Sequence, residues 1–413
     1  MVNNSNSVLL VGFNTRPLAY SLRNAGYKVY TVDFFGDMDL YPYVDDYIIV
    51  LKELESNYSS LKNKYSKSLA NFAMELHRKH RDAGFLLIGS GLDDAYEERE
   101  LILEEIKSFI TINVNNDLQV IRKSRDVKYL FNLLKSSVYK VPLSYNFETF
   151  QIKKLSMEFP FILKKKRSAG GTNVYKIEDI KNLVSQIKIL EKREFIPSEW
   201  IIQEYIEGIP VSCTVVSNGK ECEIISINRQ IIGEKFLNAP KDFIYCGNIV
   251  PAGLSEDEEK IIAEMSIYLT IELGLKGING FDFVLKDQYP YLMECNPRIP
   301  GSIRASESVL DLNLLDFHIK SFIPNEWEDI KNLLKSREIK TVATKLIFFA
   351  PKEIDKNIVP KINNLKFIHD KSEPNKNILK GEPLCTILYK AENFSESYSG
   401  AKKIVNKINR ILE

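Results

Sequence analysis

Apolar positions follow two rhythms along this chain. Val8-Leu-Leu-Val11 is an uninterrupted apolar run that stops at Gly12, which predicts a short buried strand. After it Leu18, Leu22 and Ala25 fall on one helical face, and Gly26 closes the helix. Val29-Tyr-Thr-Val-Asp33 predicts a second strand with an acid at its tip, Phe85–Ile88 a third that runs into Gly89-Ser-Gly91, and Thr111–Val114 a fourth. Strand, glycine turn, helix, strand is the opening of a doubly wound α/β domain, here assigned to residues 1–116. The first turn, Gly12-Phe-Asn-Thr-Arg-Pro17, lacks the second and third glycines of a dinucleotide fingerprint, so the domain reads as scaffold or substrate-binding. That absence argues against a nicotinamide oxidoreductase. Arg16 and Asp33 are read equally well as plain helix-end and strand-end residues.

From Asp117 the texture changes. A charged helix over Lys128–Ser136 stops before Pro142. Strands are expected at Phe159–Leu163, near Val174 and at Trp200–Gln203, with a helix over 178–192. Val211–Val216 and Glu221–Ile227 flank Asn218-Gly219, a hairpin signal because both residue types tolerate positive φ. A helix over 256–273 leads into a second hairpin, Phe281–Leu285 with Tyr291–Met293. The last segment has strands at Thr341–Phe349 and Leu384–Leu388. It closes with a helix whose Ala401, Ile404, Val405, Ile408, Ile411 and Leu412 form one stripe, a core-packing lid. The expected division is therefore 1–116, a module over 117–335 with lobes 117–205 and 206–335, and a β/α segment over 336–413.

Composition narrows the function classes. In 413 residues, 56 Lys plus Arg nearly cancel 55 Asp plus Glu, which removes the basic footprint of a nucleic-acid binder. No apolar run approaches the roughly 20 residues that cross a bilayer. The amino end lacks a secretory pattern, and five cysteines at no metal-ligand spacing read as buried thiols, so the cytoplasm is expected. With four histidines a His-built metal site is not expected, and His77 and His80 read as a solvated helix face.

The chemistry concentrates in Phe281-Asp-Phe-Val-Leu-Lys-Asp-Gln-Tyr-Pro-Tyr-Leu-Met-Glu-Cys-Asn-Pro-Arg298. If Lys286–Pro290 forms a five-residue loop, Leu285 pairs with Tyr291 and Asp282 stands opposite Glu294, with β-carbons about 4.5–5.5 Å apart. Facing like charges destabilise a sheet, so the pair calls for a cation, and Asn296 offers a third oxygen on the same face. Hard oxygen ligands suit Mg²⁺, with Mn²⁺ as an alternative, and an incomplete protein shell implies that a nucleotide completes it. Arg298 then sits beside the metal to hold a carboxylate or phosphate. A second site is Lys164 followed by Ser168-Ala-Gly-Gly-Thr172, an ammonium beside a turn whose N–H groups wrap phosphate oxygens; it is not a P-loop. A third is Gln203-Glu-Tyr-Ile206, a strand exit able to present backbone groups to an adenine edge.

Taken in order, these pieces resemble the ATP-grasp superfamily. Lys128 lies in the helix that opens the module, Phe159-Pro-Phe-Ile-Leu-Lys164 with its glycine turn resembles the phosphate-covering strand and loop, and Gln203, Glu204, Tyr205 and Ile206 resemble the adenine hinge. Asp282, Glu294, Asn296 and Arg298 resemble the metal-and-substrate strand pair. Within the superfamily, Gly12–Pro17, Val32–Asp37, Gly208–Ser212 and Gly381–Thr386 are similar to an archaeal group of carboligases related to biotin carboxylase. The resemblance implies an α+β ATP-grasp fold behind a Rossmann-like domain, ATP and Mg²⁺ as cofactors, and small-molecule carboxylate and amine substrates, with a homodimer as a candidate assembly.

It further implies that Lys128 and Lys164 hold the α/β-phosphates, that Gly170 and Gly171 close over them, and that Arg298 anchors the acceptor. Arg229, Gln230, Lys235 and Arg304 are weaker candidates for the substrate wall. Two departures stand out. No acid follows the hinge at Ile209-Pro210, so Glu207 or another group must serve the ribose, and Ile299-Pro-Gly-Ser302 lacks the bicarbonate-deprotonating Glu of biotin carboxylase. The function expected is an ADP-forming carboxylate–amine ligase working through an acyl phosphate. The rivals are a bicarbonate-using carboxylase or carbamoyl-phosphate-synthase-like enzyme, and a non-catalytic ATP sensor or interaction protein.

Overall fold

Strand β1 (Ser7–Gly12) is buried along its whole length because it is the centre of a parallel sheet covered on both faces. Its neighbours are β2 (Lys28–Asp33), β3 (Asp46–Ile49), β4 (Phe85–Ile88) and β5 (Ile112–Asn113), in the order β3-β2-β1-β4-β5. The helix after β1 spans Arg16–Asn24, with Pro17 in its first turn and Gly26 beyond its end at φ +87°. The computed structural model describes residues 6–413 apart from 62–63, 108, 110, 136, 150–156, 168–169 and 194.

The next lobe is a four-stranded sheet, β6 (Ser144–Asn146), β7 (Phe161–Lys165), β8 (Val174–Ile177) and β9 (Trp200–Glu204), ordered β6-β9-β7-β8. Strand β7 begins and ends two residues later than expected, and its end at Lys165 places Lys164 inside the sheet. The third layer is antiparallel: β10 (Ile209–Asn218), β11 (Cys222–Ile232), β12 (Tyr245–Val250), β13 (Lys276–Lys286), β14 (Tyr289–Asn296), β15 (Val342–Phe349), β16 (Ile368–His369) and β17 (Pro383–Ala391). Their order is β14-β13-β10-β11-β12-β15-β17-β16, so the strands of segment 336–413 extend the sheet that carries the acidic hairpin. The β10–β11 turn forms at Asn218-Gly219, where Gly219 takes positive φ and the Asn218 side chain accepts from the N–H groups of Lys220 and Glu221.

The helix Glu256–Leu273 is held by a capping box between Ser255 and Glu258 and ends at Gly274, φ +67°. In the closing helix, Phe394–Leu412, the expected stripe packs in one core with β15 and β17. All five cysteines are free thiols, four of them buried. The histidine reading is corrected: His77 is fully buried with Nε2 3.2 Å from the Thr111 hydroxyl, and His80 stacks on Tyr30 and meets Asp46 at 2.7 Å. The flanking charges Arg78, Lys79 and Arg81 made this stretch look solvated. One apolar cluster runs from Leu10 and Val29 to Ile278, Ile303 and Leu314, so the elements before residue 116 share a core with later ones. Among the described residues no helix is long and apolar enough to cross a membrane.

Candidate active site

The acidic pair forms, by a different route from the one expected. The β13–β14 connection is a two-residue turn, Asp287-Gln288, both at positive φ, and Leu285 therefore faces Pro290. One extra residue, Met293, is then accommodated as a bulge between the Phe283–Leu292 and Asp282–Glu294 pairs, which restores Asp282 opposite Glu294. Asn296 donates to Asp282 at 2.9 Å and to Glu294 at 3.2 Å, and Gln230 on β11 donates to Asp282 at 2.9 Å. Burial and then the facing Glu294 push the Asp282 carboxyl well above its usual range, against the pull of Arg298 and the Asn296 amide. Two acids strained by mutual charge, with an amide that presents Oδ1 when turned over, fit a hard divalent cation. Among the described residues no group of three or more His, Cys, Asp or Glu forms a metal site, so any ion held here would draw further oxygens from substrate or water.

These residues line a cavity of about 1380 Å³ between the lobes. Lys164 reaches it from β7; burial pulls its ammonium pKa down while Glu294 pulls it up. Gly170 and Gly171 line the same cavity at φ +64° and +76°, and a Cβ on Gly171 would stand 1.7 Å from the Phe243 carbonyl oxygen. Only glycine permits that approach. Ser168 and Ala169 of the turn lie outside the described residues. Gln203, Glu204, Tyr205 and Ile206 also line the cavity. Gln203 donates to the Ser144 hydroxyl at 3.0 Å and Glu204 is fixed to Leu143, while the backbone of Tyr205 and Ile206 makes no backbone hydrogen bond among the described residues. Arg298 faces the cavity and is gripped by Asp93, whose carboxyl burial would raise but Arg298 and Arg125 hold well below the usual range.

Five expected residues are not brought to this cavity. Lys128 is exposed on the first turn of the helix Val127–Leu134, whose inner face carries Leu130 and Leu134. Arg229 lies on the opposite face of β11 from Gln230, its guanidinium 5.1 Å from the Phe394 ring centre, because alternate strand residues face opposite ways. Lys235 is exposed on the short turn Lys235–Leu237. Arg304 pairs with Glu307 and sits 3.9 Å from the Tyr20 ring centre. Glu207 is exposed and away from the wall, where Pro210 and Ser212 stand instead. Sequence reading missed Arg125, which lines the cavity and binds Asp94 with two hydrogen bonds of 3.1 and 2.8 Å. The available signal was Asp93-Asp94 beyond the Gly89-Ser-Gly91 turn, at the carboxyl end of β4.

Residues 126–302, which contain the hinge, the glycine turn and the acidic pair, match the model of the ATP-grasp domain. The chain carries an ATP-grasp domain. An uncharacterized protein of Methanocaldococcus jannaschii is 28% identical over 97% of this chain and 90% of its own length. A D-alanine–D-alanine ligase of Flavobacterium psychrophilum is 25% identical over 47% of this chain, which spans 56% of that enzyme. Biotin carboxylase from Campylobacter jejuni superposes with a TM-score of 0.71 at 16% identity, over 96% of this chain and 89% of that one. The likeness of fold to that structure thus extends well beyond residues 126–302, over nearly the whole chain.

Proposed function

We propose that the protein is an ATP-dependent carboxylate–amine ligase. The observation that carries this reading is the convergence of the Asp282–Glu294 pair, Lys164 and the Gly170-Gly171 turn on one cavity. In the reaction a substrate carboxylate oxygen attacks the γ-phosphorus of ATP and the bond to the β-phosphate oxygen breaks, releasing ADP. The amine nitrogen then attacks the acyl phosphate carbon, inorganic phosphate leaves, and the nitrogen gives up a proton to yield the amide.

Such a phosphoryl transfer is mainly positioning and charge neutralisation. Lys164 serves the phosphates, with Arg125 nearby, and the glycine turn closes over them to keep water from the acyl phosphate. Tyr205 and Ile206 offer free backbone groups to the adenine. Arg298, braced by Asp93, holds the acceptor carboxylate. Asp282, Glu294 and Asn296 would hold Mg²⁺, whose chemistry is to offset charge on phosphate oxygens. The bicarbonate reading is less well supported, because Ile299-Pro-Gly-Ser302 lines the cavity without a carboxylate. Five free thiols support a cytoplasmic setting.

The test is Mg²⁺-dependent ADP release from ATP with a cell-extract metabolite pool, followed by identification of the acid and amine consumed. Glu294→Gln is expected to lower the rate by about 100-fold or more, as removal of one charge-stabilising group typically does. Uptake of labelled bicarbonate would replace the ligase with a carboxylase. ATP binding with no metabolite consumed would replace it with a sensor.

A further inference from the structure

The cavity is larger than a nucleotide needs: about 1380 Å³, against roughly 300–1,000 Å³ for ordinary small-molecule pockets. It continues into the amino-terminal domain. Asn14 after β1, Asp37 after β2 and Ser90 after β4 all line it. Strands β2 and β4 flank β1 on opposite sides, so chain order reverses at β1, and the crevice outside the carboxyl ends at such a reversal is where open α/β sheets bind ligands. Asp370 and Glu373, from the carboxyl-terminal segment, face the same cavity.

Four aspartates meet at this crevice, and three are satisfied by the protein. Asp33 accepts from the Thr15 N–H at 2.6 Å, the Thr15 hydroxyl at 2.8 Å and the Gly36 N–H at 2.6 Å. Asp39 accepts from the N–H groups of Asp370 and Lys371 and pairs with Arg16 at 3.3 Å. Asp370 pairs with Arg16 at 2.9 Å. Asp37 alone has no side-chain hydrogen bond or ion pair among the described residues, though it lines the cavity. Burial and the carboxylates of Asp370, Asp33 and Asp39 push it well above the usual range, against a smaller pull from Arg16. The Oδ1 of Asn14 is also left without a donor. Beside these groups the wall is apolar, with Phe13, Phe35 and Leu51.

Arg16 is shared with Asp39 and Asp370, so among the described residues Asp37 keeps no ion pair of its own beside this aromatic wall, and that arrangement has a definite complement. We propose that the amine substrate enters this crevice as an ammonium ion paired with Asp37, its apolar body against Phe13, Phe35 and Leu51, and passes one proton to the Asp37 carboxylate before its nitrogen attacks. This rests on the ligase reading and assigns the amine side of the same site. The acid would occupy the other side, at Arg298.

The probe is 2-phenylethylamine, with 3-phenylpropanoate as its charge-reversed control, each titrated calorimetrically into the full chain. Wild type is expected to bind the amine and not the acid at this crevice, and Asp37→Asn to weaken the amine at least tenfold. Its affinity for ADP with Mg²⁺ is expected to stay within twofold, which shows that the variant is folded. Equal affinity of wild type and Asp37→Asn for the amine, no amine binding to wild type, or equally tight binding of 3-phenylpropanoate would overturn the proposal. A wild-type chain that binds the amine but not ADP would instead strike the ligase reading and leave the crevice assignment standing.

Discussion

Gly171 shows how much one hydrogen-sized side chain decides. Its positive φ and the 1.7 Å that would separate a Cβ from the Phe243 oxygen leave no room for alanine, whereas Gly170 has nothing among the described residues within 4 Å of the same position. Gly170→Ala therefore meets only the left-handed backbone cost, about 1–2 kcal/mol. Gly171→Ala must also push the turn away from the 233–244 loop. Nucleotide titration is expected to show at least a tenfold loss of affinity for Gly171→Ala and a smaller loss for Gly170→Ala; equal losses would mean that the close approach is irrelevant. Asp282 belongs to the same scale, because its pKa is raised by burial and then by the residue opposite, and a cation placed between the two acids would lower it.

At the scale of elements, the β13–β14 hairpin converts backbone geometry into chemistry. A two-residue turn alone would place Met293 opposite Asp282; the bulge moves Glu294 into that position. Deleting Met293 would only remove the bulge and leave Glu294 after Leu292, still opposite Asp282, whereas one added residue carries Glu294 a position too far and onto the other face. Insertion of one alanine after Met293 is expected to leave the fold intact by circular dichroism while lowering Mg²⁺-dependent ADP release by about 100-fold. Retained activity would show that the register does not set the acidic pair.

At the scale of the molecule, buried polar pins lock the amino-terminal domain to the rest. Arg16 reaches Asp370 across the chain, and Asn116 donates to Asn279 at 2.7 Å. His318 accepts from the Ile278 N–H at 2.9 Å through Nδ1 and meets the Val114 carbonyl at 2.8 Å through Nε2. Burial lowers its pKa from 6.5 to about 4. Between those values the unfolded chain binds more protons, so the contribution of His318 to stability is complete above pH 6.5 and is lost as pH falls toward 4. His318→Gln lacks this dependence. The stability gap between wild type and His318→Gln, measured by urea unfolding, is expected to narrow from pH 7.5 to pH 5, by up to about 1.4 kcal/mol per pH unit. A constant gap would mean that His318 is not held neutral.

The local patterns were legible because they are short-range. The apolar run of β1, the capping box before Glu256, the stripe of the closing helix and the Asp282-to-Glu294 spacing each follow from a few consecutive residues, and with them came the fold class and the acidic pair. Lys128, Arg229, Lys235 and Arg304 lie off the cavity wall, since charge and sequence proximity do not say which face of a helix or strand meets it. Arg125, Asp93 and Asp37 became visible only when segments far apart in the chain packed together. The sequence by itself determined which elements form and which carry chemistry, since backbone propensity and side-chain period act within a few residues. Only the tertiary structure decided which charges share one cavity and which lack a partner, because burial and Coulomb interactions depend on distances that packing sets.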